Sequence, residues 1–398
     1  TSYQRFILYR KFSADYIFNG HEVLQDHVLI AKPDGTIVEL IHRDEAADSV
    51  EAFRGIISPG FINCHCHLEL SHMKGHIPKN TGLVDFVLKV VNERHYSEAE
   101  ILAAIEAAET EMKQNGIVAV GDICNNALTI PQKMKGRLRY YNFIEASGFP
   151  PAVAAVRFKR ASDIYDMYAV FMSSNAIVPH APYSVSPELF RRINAFPSSR
   201  VLSIHNQETS AEDELFETGA GDLTRLYERM NIDISFFRPS GKSSLQTYLP
   251  YLDKAITLLL VHNVHTSEKD LSFLKHQAAT YKLQPFFCLC PNANLYISNQ
   301  LPDINKLLAH DCAVVLGTDS LASNDQLSIL EEMKTISRHF PELPLASQLA
   351  WATSNGARAL QMEAELGSFS AGKKPGIVLI ERVKGLQLQA DSSSRRLL

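Results

Sequence analysis

Four short stretches of the chain carry side chains able to hold a metal ion and move a proton. His65-Cys66-His67 sets two imidazoles one residue apart, and His205-Asn206-Gln207-Glu208 sets a carboxyl three residues after a histidine. His262-Asn263-Val264-His265 and Gly317-Thr318-Asp319-Ser320 supply a further histidine and an aspartate. In an extended segment alternate side chains face opposite ways, so His65 and His67 share one face while Cys64 and Cys66 take the other. Imidazole nitrogen with one carboxylate oxygen, leaving a position open, is the shell of a catalytic zinc, and Fe2+ or Mn2+ accept the same donors. The expected cofactor is therefore one divalent ion, with Zn2+ the leading candidate, on His65, His67, His205 and Asp319. Glu208, His262 and Asp319 are the candidates for catalysis. A carboxylic acid at 208 can carry a proton from metal-bound water to substrate, His262 can orient hydroxide, and Asp319 can take the proton of the water. Taken singly each has a plainer role. Asp319 could cap a helix over 320–334, the histidines could donate to buried carbonyls, and Glu208 could face solvent.

The position of these residues gives them weight as a set. Apolar strand-like runs occur at 56–62, 117–123, 138–144, 175–179, 200–204, 256–261, 284–288 and 312–317. Helical signals lie between them. Ser97-Glu98-Ala99-Glu100 fits a capping box ahead of Ile101, Ile105, Ala108 and Met112, and Asn115-Gly116 stops that helix. Ser186-Pro187 opens a helix over 187–195, and others are predicted at 268–278 and 302–310. Eight strand–helix units predict an α/β fold, a (β/α)8 TIM-type barrel over 58–366, whose chemistry must sit at strand C-terminal ends. The first, fifth, sixth and eighth runs end at the four stretches above. The irregular insert 219–245 is a candidate lid or substrate wall. Before the barrel, Phe6-Ile7-Leu8-Tyr9, 28–30 and 37–41 read as short strands, with turns at Gly20 and Asp34-Gly35; a similar run, 377–380, follows Pro375-Gly376. Neither end has enough core alone.

Composition narrows the function. With 45% hydrophobic and 21% charged residues the chain is globular, and a net charge of −5 leaves no basic footprint for nucleic acid. No apolar run reaches the roughly 20 residues of a membrane helix. Residues 1–10 lack the charged-then-apolar pattern of a secretory leader. Six cysteines at 64, 66, 124, 288, 290 and 312 suit buried, reduced thiols rather than a disulfide framework. The expected setting is cytoplasmic, the expected partner a small-molecule substrate, with no nucleic acid and no membrane; a homodimer is left open. His67-Leu68-Glu69 matches half of the small zinc-deaminase signature, but no Pro-Cys-x-x-Cys follows. A phosphate loop and a Gly-x-Ser-x-Gly elbow are also missing.

Together these residues resemble the amidohydrolase superfamily in its mononuclear-metal deaminase branch. The resemblance rests on Pro59-Gly60-Phe61-Ile62-Asn63 with His65 and His67, on His205-x-x-Glu208, on His262-x-x-His265 and on Leu316-Gly317-Thr318-Asp319-Ser320. Pro179-His180-Ala181-Pro182-Tyr183-Ser184 and Cys290-Pro291-x-x-Asn294 add to it. It implies a small composite β-sandwich built from residues 1–57 and 367–398 beside the barrel. Within the branch, His67-Leu68-Glu69-Leu70-Ser71, Glu145 in Phe143-Ile144-Glu145-Ala146 and Glu208-Thr209-Ser210-Ala211-Glu212 look like aminodeoxyfutalosine deaminases. These are similar to adenosine, methylthioadenosine and adenosylhomocysteine deaminases. Asn292-Ala293 departs from the basic residue and serine such relatives often show. The resemblance implies that Glu69, Ser71, His72, Glu145, His180 and Asn294 line the substrate pocket.

The expected activity is hydrolytic deamination of a 6-aminopurine-type nucleoside, aminodeoxyfutalosine among the candidates, with release of ammonia. Two alternatives keep the same scaffold. One is hydrolysis of another cyclic amide, amidine or chloro-heterocycle; the other is a barrel without catalysis that serves as a binding module.

Overall fold

The structure, a computed structural model, describes residues 9–398, so Phe6-Ile7-Leu8 of the first expected strand lies outside the described residues. Two compact units account for the chain. One comprises 1–63, 110–119 and 328–398, and the other 64–109 and 120–327.

The first unit is built on two sheets. Tyr16–Phe18, Val23–Leu24, Ile56–Pro59, Ile377–Lys384 and Gln387–Arg396 form a five-stranded sheet; Arg10–Ser13, His27–Ala31, Ile37–His42 and Glu51–Ala52 form a four-stranded one. The two ends of the chain meet in the first sheet, where Ile57 is opposite Leu379 in antiparallel register. Phe12, Ile17, Leu29, Ile57, Phe369 and Leu379 are buried together in one apolar cluster. Neither end could bury these side chains without the other, which is why strands so distant in sequence pair. The unit also takes in 328–366, including the helix Ile329–His339, which the strand count assigns to the barrel.

One expected strand proves to be two. The run 56–62 breaks at Gly60: Ile56–Pro59 belongs to the sheet above and Phe61–Cys66 starts the barrel. A Cβ at Gly60 would lie 2.2 Å from a Val118 methyl and 2.6 Å from the Pro375 carbonyl oxygen, so only glycine lets the backbone cross there.

The barrel strands are β1 (Phe61–Cys66), β2 (Ile117–Cys124), β3 (Arg139–Ala146), β4 (Asn175–Pro179), β5 (Val201–Asn206), β6 (Thr257–His262), β7 (Gln284–Leu289) and β8 (Val314–Leu316). They run in sequence order as two four-stranded sheets, β1 to β4 and β5 to β8. The His205 amide donates to the His180 carbonyl at 3.0 Å, joining β4 to β5. The amides of Thr318 and Asp319 donate to the His65 carbonyl at 3.1 and 3.0 Å, joining β8 to β1. The result is a (β/α)8 barrel. Parallel register aligns Ile204, Leu260, Phe287 and Val314 in one layer, which brings His205 and His262 to the same end.

Helix signals act as their residue types require. Ser186 accepts from the Leu189 amide at the start of Pro187–Ala195, and Ser267 with Asp270 forms a reciprocal cap on Glu268–Tyr281. Asp319 caps nothing, because the next helix begins at Ile329 under Ser328. The insert 219–245 is more regular than expected. It contains the helix Leu223–Arg229, whose Leu223, Leu226 and Tyr227 are buried. No described helix is long and apolar enough to cross a membrane, and no cysteine forms a disulfide.

Candidate metal centre and substrate cavity

The barrel rule is met side chain by side chain at the C-terminal ends of β1, β5, β6 and β8. His65 and His67, on one face of β1, bring their Nε2 atoms to 3.2 Å of each other. Asp319 Oδ1 lies 3.4 Å from His65 Nε2 and 3.3 Å from His67 Nε2, while its Oδ2 accepts from Ser323 Oγ at 2.6 Å. His205 has its Nδ1 2.8 Å from the His180 carbonyl oxygen. A carbonyl only accepts, so Nδ1 carries the proton and Nε2 presents a bare lone pair. Donor atoms of His65, His205, His262 and Asp319 lie within 4.8 Å of one another, with His67 beside them.

Five groups therefore converge where four ligands were expected. The hydrogen bonds of His262 set it apart. Its Nδ1 is 3.0 Å from Asn294 Nδ2, and its Nε2 is 3.5 Å from Glu208 Oε1. With the amide donating to Nδ1, the ring proton sits on Nε2 and faces the Glu208 carboxyl.

Backbone strain accompanies the constellation. Gln207, His262, Asn263 and Asp319 have φ of 46°, 77°, 61° and 57°, in the left-handed region that non-glycine residues avoid. Each costs roughly 1–3 kcal/mol and is held by the surrounding packing. The strands turn sharply here and aim side chains across the barrel mouth.

Burial sets the charge states. It drives the His67 and His262 imidazoles down to about 3 and His180 to about 4, and holds His205 well below its ordinary value. Neutral imidazole is the form that ligates. Burial raises the carboxyl of Asp319, but the hydrogen bond from His65 and the nearby histidines more than offset it and keep the group ionised. Glu208 goes the other way. Burial, with Asp319 and Glu212 nearby, raises it well above the ordinary glutamate value, which favours the protonated acid. Glu69 rises to about 7, chiefly through burial.

The donor set fits a divalent cation. The Nε2 atoms of His65 and His67 and the Asp319 carboxylate converge within 3.4 Å of one another, and imidazole nitrogen with carboxylate oxygen is a zinc donor set.

A cavity of about 790 Å3 opens from this centre. His67, His205, Glu208, His262 and Asp319 line its inner end, followed by Glu69, Asn125, Glu145 and His180. Phe86, Phe149, Leu226, Tyr227 and Phe236 form an apolar outer wall, in which Phe149 stacks on Tyr227 at 4.8 Å.

Three residues expected at the substrate do not line that cavity. The turn Leu68–Met73 sends Ser71 Oγ back to the Leu68 carbonyl at 2.7 Å. His72 Nε2 meets the Arg94 carbonyl at 2.9 Å, and its ring packs on Tyr96. Asn294, outside the cavity lining, has its Nδ2 3.0 Å from His262 Nδ1. His265 turns outward to Gln300. Conversely, Asn125 was not anticipated. Its backbone amide donates to both Glu69 carboxylate oxygens at 3.0 and 3.2 Å, and its side-chain amide reaches Glu145 Oε1 at 3.2 Å. The signal was the end of the second apolar run, which a barrel carries to the same face, but an amide there has no titratable group to draw notice.

A barrel with a histidine–aspartate centre at its strand ends defines a metal-site hydrolase scaffold. The chain belongs to the amidohydrolase family, whose model matches residues 56–393. It is 27% identical over 331 residues to an adenosine deaminase of Helicobacter pylori, covering 80% of this chain and 77% of that one. The aminofutalosine deaminase of Helicobacter pylori in complex with methylthio-coformycin superposes with a TM-score of 0.80 at 22% identity, over 96% of this chain and 93% of that chain. An atrazine chlorohydrolase from Arthrobacter aurescens complexed with zinc superposes with a TM-score of 0.72 at 16% identity, over 95% and 89%.

Proposed function

We propose that this chain is a metal-dependent hydrolase that deaminates a 6-aminopurine-type nucleoside, aminodeoxyfutalosine being the leading candidate, with zinc on His65, His67, His205 and Asp319. A buried Glu208 whose carboxyl lies 3.5 Å from His262 Nε2, at the cluster of His65, His205, His262 and Asp319, is the observation that carries it. Adenosine deaminase among the relatives and aminofutalosine deaminase among the structural neighbours support the substrate class.

The bound ion would supply Lewis acidity that makes a water molecule nucleophilic near neutral pH. The chain's own groups then divide the proton traffic. Asp319, held as carboxylate, takes one proton from the attacking water as the new C–O bond forms at the amine-bearing ring carbon. Glu208 gives its proton to the adjacent ring nitrogen, so that the added electron pair rests on a neutral atom. His262, with hydrogen on Nε2, donates to the oxygen of the attacking water and orients it. The proton held by Asp319 passes to the exocyclic nitrogen, the C–N bond breaks and ammonia leaves, while the hydroxyl proton of the new C–O group goes to the Glu208 carboxylate, giving the 6-oxo product and returning both carboxyls to their starting states. Glu69 and Glu145, joined through Asn125, are suited to accept from sugar hydroxyls, and the Phe149–Tyr227 stack suits an apolar 5′ substituent.

Ammonia release and a one-unit mass increase are to be measured on adenosine, 5′-deoxyadenosine, methylthioadenosine, adenosylhomocysteine and aminodeoxyfutalosine, with guanine and a chlorotriazine as controls. Turnover of an aminopurine nucleoside alone is expected. Chloride release from the triazine with inert nucleosides would overturn the assignment in favour of the chloro-heterocycle chemistry.

A further inference from the structure

The turn that carries Glu69 away from ligand candidate His67 is fastened to the end of β2. The Leu68 amide, between those two residues, donates to Asp122 Oδ1 at 2.8 Å. Asp122 Oδ2 in turn lies 2.6 Å from Lys133 Nζ, with both side chains completely buried. Lys133 comes from the short helix Ile130–Lys133 and also donates to Asn142 Oδ1 at 2.8 Å, while its ammonium lies over the rings of Tyr140 and Tyr168 at 4.9 and 5.1 Å. A second fastening sits one step further, where the Asn125 amide holds the Glu69 carboxyl.

A lysine buried this deeply is costly unless its charge is answered. Burial acts against the ammonium, yet Asp122 and Cys124 more than offset it, so the group stays cationic. The pair does not reach the cavity. Its geometric effect is on Asp122: one carboxylate oxygen is held by the ammonium, which aims the other at the Leu68 amide. The backbone between the two groups that face metal and substrate thus has its position set by a cation 65 residues downstream of Leu68.

We propose that Lys133 is a positioning residue which, through Asp122, sets the backbone of His67-Leu68-Glu69 and so tunes both the metal centre and the substrate carboxylate. The link to a metal centre rests on the function proposed above; the link to the Leu68 backbone does not. Outer residues that orient ligands typically change metal affinity or activity by about 10–100-fold when removed.

The test uses Lys133→Met in the full chain with two readouts. The first is amide hydrogen exchange at Leu68 in metal-free protein, with β6 as internal reference. Exchange at least tenfold faster at Leu68, and unchanged in β6, is expected. The second is Zn2+ affinity by chelator competition, expected to weaken at least tenfold. If both stay within twofold of the unaltered protein while the melting temperature falls, the pair is only structural and the proposal is overturned. Should Lys133→Met fail to fold, Asp122→Asn with Lys133→Met leaves no unanswered charge and is held to the same thresholds. An unaltered protein that takes up no zinc would overturn the metal-dependent function, while the exchange readout would still decide the role of Lys133.

Discussion

The Nδ1 nitrogen of His205 lies 2.8 Å from the carbonyl oxygen of His180, and the His205 amide donates to the same carbonyl at 3.0 Å. One backbone oxygen thereby fixes the strand β5 against β4 and decides which imidazole nitrogen remains for a metal. Because the acceptor is backbone, it survives truncation of the His180 side chain. His205→Ala is expected to weaken zinc binding at least a hundredfold, and His180→Ala to leave it within about fivefold. Chelator competition measures both. Equal losses would mean that the ion sits instead on the neighbouring Glu145, His180 and His205 group.

His67 and His262 are both close enough to the centre to be ligands, and their hydrogen bonds separate them. His67 faces His65 and Asp319, whereas His262 is held by Asn294 with its other nitrogen toward Glu208. His67→Asn should empty the site as judged by metal analysis. His262→Asn should retain a full equivalent of metal and lose kcat by about 100-fold or more. Retention by the first and loss by the second would reverse the assignment.

Burial, and after it the nearby Asp319 carboxylate, raise Glu208 well above the ordinary glutamate value and favour its protonated form. Glutamine preserves its shape and removes its proton. Glu208→Gln is expected to bind metal normally and lose about 10²–10⁴-fold in kcat with a smaller change in KM. Steady-state kinetics on an aminopurine nucleoside would check this, and near-normal turnover would remove Glu208 from the mechanism.

Glu212, fully buried beneath the same loop, rises from 4.5 to about 8 chiefly through burial. The folded chain therefore holds a proton that the unfolded chain releases as pH passes 4.5. Its stabilising contribution is complete below that value and is lost as pH climbs to about 8. Urea unfolding of chelated protein at pH 5 and 8.5 should show a fall in stability. Glu212→Gln should reduce that fall by roughly 4 kcal/mol. Equal falls in the two proteins would contradict the assignment of the proton to Glu212.

Much of the fold was legible because it rests on local signals. Ser186-Pro187 and Ser267 begin helices for reasons contained within a few residues, and the apolar run 256–261 has the length of a strand between helical signals, where the structure has Thr257–His262. The break at Gly60 was not legible, since its cause is the approach of Val118 and Pro375 from distant parts of the chain. The candidate site divides in the same way. His65 and His67 share a face by strand alternation alone, but Ser71 and His72 leave the cavity because the chain tightens into a turn straight after His67. Asn125 gives no signal of its own in the sequence, because one of its two contacts is a backbone amide that every residue type but proline carries and the other is an uncharged side-chain amide.

By itself the sequence determined the strand order, the barrel and the residues able to ligate, since periodicity and side-chain type are properties of the chain. Only the tertiary structure decided which nitrogen of His205 is available, that Asn294 braces His262 and that a buried lysine–aspartate pair holds the backbone beside His65-Cys66-His67. Those outcomes depend on hydrogen-bond partners and desolvation, which exist only once distant segments close around one another and exclude water.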